Sequence, residues 1–132
     1  MMKRIMLKSK IHRATLTGLD LNYEGSITLD KVLLEKADIL PNEQVHVLNC
    51  STGSRCITYT IPAPAGSGTV LLNGPAARLG MPGDRIVVVS YCEVEQSEAA
   101  EISPRLVFVD EKNRPVDIPK HRSDHRWIRR TT

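Results

Sequence analysis

Between Glu43 and Asn49 the chain alternates, with Val45 and Val47 on one side and His46 and Leu48 on the other, the two-residue period of a half-buried strand. Cys56 to Ile61 follows across the polar stretch Ser51-Thr52-Gly53-Ser54, which predicts an antiparallel hairpin. Thr69 to Leu72 and Arg85 to Tyr91 are rich in Val, Ile and Leu without alternation, the pattern of strands covered on both faces. Arg105 to Val109 is a further short strand, ended by the turn-rich Asp110-Glu111-Lys112-Asn113. One segment reads firmly as helix: Asp30 suits an N-cap, and Val32, Leu33, Leu34 and Ala37 form an apolar stripe behind it. A shorter helical turn is predicted over Pro75 to Leu79, because proline in a first turn lacks only an N–H that has no partner there. All remaining segments read as strand or turn, with no repeat at a fixed period, and the pattern alone supports a mainly β small barrel or sandwich.

Composition narrows the class. The chain has 132 residues, 41% hydrophobic and 25% charged, enough apolar side chain for one core. Its eight prolines and eight glycines are spread along the sequence and leave no linker, so a single domain is expected over residues 1–119. Residues 120–132 lack an apolar face and are expected to form a basic, flexible tail. No run approaches the roughly 20 apolar residues of a membrane-spanning helix, which argues against a membrane protein. The start, Met1 to Leu7, begins like a signal peptide, but Lys8 and Lys10 interrupt it, so secretion is not expected. Cys50, Cys56 and Cys92 are odd in number and form no CxxC pair, which fits reduced thiols in a cytoplasm. No metal site is expected: the spaced pair His121 and His125 falls in the tail.

The net charge of +3 suggests nucleic acid until it is divided by position. Residues 120–132 hold Lys120, Arg122, Arg126, Arg129 and Arg130 against Asp124, so the body keeps 13 basic and 14 acidic residues. A folded nucleic-acid face needs its basic stripe on the domain, and single-strand binding adds stacking aromatics. The five aromatics here, Tyr23, Tyr59, Tyr91, Phe108 and Trp127, are scattered, so no nucleic-acid partner is expected.

The most informative local feature is Tyr23-Glu24-Gly25-Ser26-Ile27, a glycine and a serine at the entry to an apolar strand. By itself such a pair is an ordinary turn. The chemical reading begins with what glycine allows: a strained backbone whose carbonyl lies open to the next residue's hydroxyl. Attack by that hydroxyl converts the peptide to an ester, and elimination then splits the chain and leaves dehydroalanine at Ser26. Hydrolysis with loss of ammonia gives a pyruvoyl group, a carbonyl able to form a Schiff base with an amine substrate and draw electrons from the adjacent carbon, which suits amino-acid decarboxylation.

Four motifs carry a resemblance to a known family. Lys10-Ile11-His12-Arg13-Ala14, Asn22-Tyr23-Glu24-Gly25-Ser26, Arg55-Cys56-Ile57-Thr58-Tyr59 and Asn73-Gly74-Pro75-Ala76-Ala77 stand in the order and spacing of the pyruvoyl-dependent aspartate 1-decarboxylases, from about Met1 to about Pro119. The resemblance implies autocatalytic cleavage between Gly25 and Ser26, with the covalent pyruvoyl cofactor formed from Ser26. Thr58 matches the threonine whose hydroxyl steadies the oxyanion during cleavage; without the resemblance it is a β-branched strand residue. Asn73 matches a residue beside the cleavage turn and also reads as part of an Asn-Gly turn. Lys10 and Arg55 match the carboxylate binders, a role suited to a guanidinium fork. Tyr59 matches the residue that returns a proton to the substrate carbon. Tyr23 and His12 match positions near the site, and His12 reads equally as a hydrogen-bonded strand histidine.

Gly74, Pro75 and Ala76 match a substrate-binding loop that presents backbone N–H groups. The commoner pattern has alanine at the Pro75 position; proline has no N–H, so the donors are expected from Ala76 and its neighbour. The fold implied is a double-psi β-barrel with short helices, assembled as a homotetramer with sites between subunits. The activity implied is decarboxylation of L-aspartate to β-alanine, feeding pantothenate and coenzyme A synthesis. Both spontaneous maturation and an accessory maturation factor are compatible with the motifs. The competing readings are a small DNA-binding β-barrel of transition-state-regulator type, against which the near-neutral body counts, and a scaffold that never matures.

Overall fold

A computed structural model describes residues 2–117. The expected tail, with His121, His125 and Trp127, lies outside the described residues. Among the described residues, nine strands follow one another as β1 (Lys3–Thr15), β2 (Gly18–Asp20), β3 (Ser26–Asp30), β4 (Gln44–Asn49), β5 (Arg55–Ala63), β6 (Val70–Asn73), β7 (Arg85–Glu95), β8 (Arg105–Val109) and β9 (Pro115–Val116). Helix α1 (Lys31–Ala37) follows β3, and 3-10 helices occupy Gly74–Leu79 and Gln96–Glu101. The strands form one mixed sheet in the order β2-β6-β3-β5-β4-β7-β1-β8-β9. The mainly β expectation therefore holds, with short helices at the joints.

The strands run where the apolar pattern put them. In β4, Val45, Val47 and Asn49 are buried while His46 and Leu48 are half-buried, and β4 pairs antiparallel with β5 as the hairpin requires. Ile86 to Ser90 of β7 is a continuous buried run between β1 and β4. Strand β3 is held on both sides, antiparallel to β6 and parallel to β5, with Ile27 and Leu29 fully buried. A slip of one residue would turn those two side chains out of the core, so their burial pins the register of the whole strand. The core gathers Ile11, Leu16, Leu33, Val45, Val70, Leu72, Ile86 and Val88 around them.

Asp30 caps α1 as expected, its Oδ1 accepting from the Val32 N–H at 2.8 Å. The same carboxylate accepts from the Gly66 and Gly68 N–H groups at 3.0 and 2.8 Å, which ties the loop before β6 to the end of β3. Three backbone donors satisfy the oxygens of this buried side chain.

One element differs from expectation, and another is longer than its pattern shows. Lys3–Thr15, within the segments read as strand or turn, is one long strand, because the lysines that break up its apolar pattern face outward or find partners: Lys8 Nζ lies 2.7 Å from Glu43 Oε2 and donates to the Asp38 carbonyl at 2.6 Å. Gln96–Glu101 is helical with none of its residues buried, so nothing periodic announces it.

Candidate active site

Ser26 opens β3 directly opposite Asn73, the last residue of β6. Both side chains are buried, and the Asn73 Nδ2 donates to Ser26 Oγ at 2.8 Å and to Thr28 Oγ1 at 2.8 Å. The Ser26 hydroxyl in turn faces the Glu24 carbonyl oxygen at 3.4 Å, a weak bond. The serine is thus inside the protein, with an amide donor on its oxygen and the Gly25 carbonyl as its covalent neighbour.

The bend that brings Gly25 here depends on the next turn. Gly74 has φ +60°, and a Cβ built on it would lie 2.6 Å from the Tyr23 carbonyl oxygen, 2.7 Å from the Gly25 nitrogen and 2.9 Å from the Glu24 carbonyl carbon. Those are backbone atoms that cannot swing aside. At Gly25 the added Cβ meets only the Pro75 Cδ at 3.5 Å, an ordinary contact, and Gly25 is absent from the positive-φ residues. The strained glycine expected at Gly25 is therefore a correction: the positive φ and the close approach belong to Gly74.

A cleft of about 410 Å³ opens beside this bend, lined by Gly25, Cys56, Ile57, Thr58, Tyr59, Pro75, Ala76 and Leu79. Thr58 and Tyr59 arrive on β5, which runs parallel to β3 with Ile27 level with Thr60. Burial pushes the Cys56 thiol above its ordinary pKa, so it stays a neutral, weakly polar part of the wall.

The chain matches the family model for aspartate decarboxylase over residues 2–116. A curated relative from Thermoanaerobacter pseudethanolicus, named aspartate 1-decarboxylase, is 54% identical over 117 residues, covering 89% of this chain and all of the relative. Proteins of the same name from Trichormus variabilis and Carboxydothermus hydrogenoformans are 51% and 53% identical, covering 91% and 86% of this chain and 94% and 89% of their own. The chain belongs to the aspartate decarboxylase family.

Within this family member the fold gathers some of the residues singled out by motif and leaves others apart. Gly25, Thr58, Tyr59, Pro75 and Ala76 share the cleft, with Ser26, Asn73 and Gly74 buried immediately behind it. Tyr23 reaches the bend through its carbonyl, while its side chain is exposed. Arg55 begins β5 outside the cleft lining, and its Nη1 donates to His46 Nδ1 at 3.3 Å. Lys10 and His12 lie on β1, four places from β3 in the sheet, and the His12 ring packs edge-on against Phe108 with centroids 5.3 Å apart.

Lys10 and His46 nevertheless share a face. Both pair with Val89, one from each side of β7, so the three side chains leave the sheet in the same direction. At about 5 Å per strand, Lys10 stands roughly 10 Å from the position of His46, which carries Arg55. Motif reasoning missed His46 and Thr28. The alternation of β4 was the available signal for His46; Thr28 gave none, because its bond to Asn73 crosses strands 45 residues apart.

Proposed function

We propose that this chain removes the α-carboxyl group of L-aspartate to give β-alanine and carbon dioxide, using a pyruvoyl group made from its own Ser26. The observation that carries the reading is the buried Ser26 hydroxyl, held by the Asn73 amide beside the Gly25 carbonyl at the head of a cleft.

In maturation, Ser26 Oγ adds to the Gly25 carbonyl carbon, the peptide C–N bond breaks, and the hydroxyl proton passes to the freed nitrogen. Loss of the Ser26 Cα proton expels the Gly25 carboxylate and leaves dehydroalanine. Addition of water and departure of ammonia leave the pyruvoyl at the head of residues 26–132. The Thr58 hydroxyl, in the cleft beside Gly25, is the donor for charge developing on the Gly25 oxygen. The residues fit the group: the neutral Asn73 amide donates to Ser26, and no charged side chain stands among the cleft residues to compete for its carbonyl.

The pyruvoyl supplies an electron-withdrawing carbonyl for the amino-acid substrate. Tyr59 holds a proton at its phenol oxygen for return to the substrate carbon once carbon dioxide has left. Ala76 offers a backbone N–H at a point where Pro75 offers none. Lys10 and Arg55 bind the carboxylate that is kept. Their placement on one face of the sheet, with neither among the residues that line the cleft of their own chain, supports a homotetramer in which that face borders a neighbouring copy's cleft. Exposed Ile5, Ile57 and Tyr91 around the same strands support it too. The interleaving of parallel pairs β3–β5 and β1–β8 with antiparallel neighbours supports the double-psi barrel. No described helix is long and apolar enough to cross a membrane, and the free cysteines support a cytoplasmic setting.

Denaturing mass spectrometry of the purified protein tests the reading. Fragments 1–25 and 26–132 are expected, the larger with a blocked N-terminus that hydrazine or borohydride labels, together with β-alanine formation from aspartate. A chain that stays intact through prolonged warming, both alone and with a cell lysate able to supply a maturation factor, leaves the DNA-binding and scaffold readings standing and refutes this one.

A further inference from the structure

We propose that Thr28 is a positioning residue for the cleavage at Gly25–Ser26, holding the Asn73 carboxamide so that it donates to the Ser26 hydroxyl. The proposal rests on Ser26 being the cleaved residue and assigns a role to a side chain outside all four motifs.

The Asn73 Nδ2 carries two hydrogens and has two oxygens to give them to, Ser26 Oγ and Thr28 Oγ1, each at 2.8 Å. A carboxamide is planar, so its two N–H directions are locked together, while the torsion that turns the plane is soft. Anchored at Ser26 alone, the amide can swing about that torsion. Anchored at a second oxygen, it cannot turn without loosening both bonds. Ser26 and Thr28 sit two residues apart on β3 and so project from the same side of the strand. The pairing of Ser26 with Asn73, pinned by buried Ile27 and Leu29, sets the amide between them.

Fixing the amide matters for the step itself. The Asn73 N–H occupies one lone pair of Ser26 Oγ, and the hydroxyl hydrogen points to the Glu24 carbonyl. The remaining lone pair is left for the Gly25 carbonyl carbon. As the new O–C bond forms, the hydroxyl proton leaves for the departing peptide nitrogen and charge grows on the Gly25 oxygen; the part of the Asn73 amide is to hold Ser26 Oγ so that its free lone pair faces the carbonyl carbon. Thr28 touches none of the reacting atoms; it acts through Asn73.

A packing role for the same side chain makes the opposite prediction. Valine keeps the shape of threonine without its hydroxyl, and serine keeps the hydroxyl without the methyl. The full chain carrying Thr28→Val or Thr28→Ser is followed by denaturing mass spectrometry as intact protein converts to fragments 1–25 and 26–132, with a thermal melt of each. Thr28→Val is expected to convert about tenfold more slowly than the parent, the rate equivalent of one hydrogen bond, and Thr28→Ser within about twofold of it. Parental conversion by Thr28→Val, or equal slowing by Thr28→Ser, overturns the proposal. If Thr28→Val shows no cooperative melt, Thr28→Ala, which also lacks the hydroxyl, takes its place with the same expectations. Failure of the unsubstituted chain to cleave, both alone and with a cell lysate able to supply a maturation factor, is a separate result, seen without any substitution, and overturns the assignment of Ser26 along with this one.

Discussion

Ser26 and Asn73 face each other across the antiparallel β3–β6 pair, and the amide of one donates to the hydroxyl of the other at 2.8 Å in a site closed to solvent. The two lie 47 residues apart in sequence, and the core residues that follow Ser26, Ile27 and Leu29, fix the register that brings them together. The nucleophile is thus positioned by the same burial that stabilises the sheet.

Replacing Ser26 with alanine removes the nucleophile and one acceptor while leaving the Asn73 bond to Thr28 in place. The cost is a partly unpaired buried N–H, about 1–3 kcal/mol. Ser26→Ala is expected to melt cooperatively a few degrees below the parent, to remain a single chain, and to yield no β-alanine. β-Alanine from the uncleaved variant would show that the carbonyl comes from elsewhere.

The two glycines at the bend are expected to differ sharply. Gly74→Ala drives a Cβ into the backbone of Tyr23, Glu24 and Gly25 and places alanine at φ +60°, so it displaces the cleavage segment itself. A stability loss of about 1–3 kcal/mol accompanies that strain, together with loss of fragmentation. Gly25→Ala meets only ordinary contact with Pro75 and is expected to fold at near-parental stability. Melting curves of the pair decide it: equal destabilisation would mean that the bend is held by something other than the Gly74 approach.

Tyr59 lines the cleft beside Gly25, while the Ser26 hydroxyl is hydrogen-bonded to Asn73 and Glu24. Tyr59→Phe should therefore fragment at the parental rate and then turn over about 100-fold more slowly or worse, the usual range for a lost proton donor. Fragment yield and kcat, measured on one preparation, separate the two effects. Parental kcat would transfer the proton to another group.

Much of this architecture is legible in the sequence wherever the apolar period survives. The β4–β5 hairpin, the buried run in β7, strand Arg105–Val109 and the Asp30 cap all announce themselves. Strand β1 does not, because register shifts between Leu7 and Ser9 and between Ile11 and Ala14 break its alternation. At the site, motif spacing identifies Ser26, Asn73, Thr58 and Tyr59 as candidates, yet it attaches the glycine requirement to Gly25. Which glycine is crowded depends on what backbone lies against it, and only folding brings Gly74 onto Tyr23 and Glu24. Thr28 is hidden for the same reason, since it matters through a partner on another strand, and the alternation of β4 places His46 on a face without showing its Arg55 partner.

Acid should loosen the far end of the loop that carries the site. Asp84 Oδ2 accepts from Asn49 Nδ2 at 2.9 Å and from the Met81 N–H at 3.0 Å, while the same Asn49 nitrogen donates to the Leu79 carbonyl at 3.1 Å. The 3-10 helix that begins at Gly74 is thereby tied to the end of β4. The Asn49 bond first, and then the Met81 N–H, hold the Asp84 carboxyl below its ordinary value of 3.8, against a smaller opposing effect of burial. A carboxyl whose pKa is lowered by folding favours the folded state when charged. Its contribution is full above the unfolded value and is lost as the pH falls through the folded one. Asp84→Asn, which keeps the shape but never carries the charge, should melt below the parent at neutral pH. The gap should close as the pH drops below about 4. Both melts are read in the Ser26→Ala background, so that fragmentation does not enter. Curves that stay parallel across the acid range would mean that the Asp84 charge contributes nothing to holding the loop.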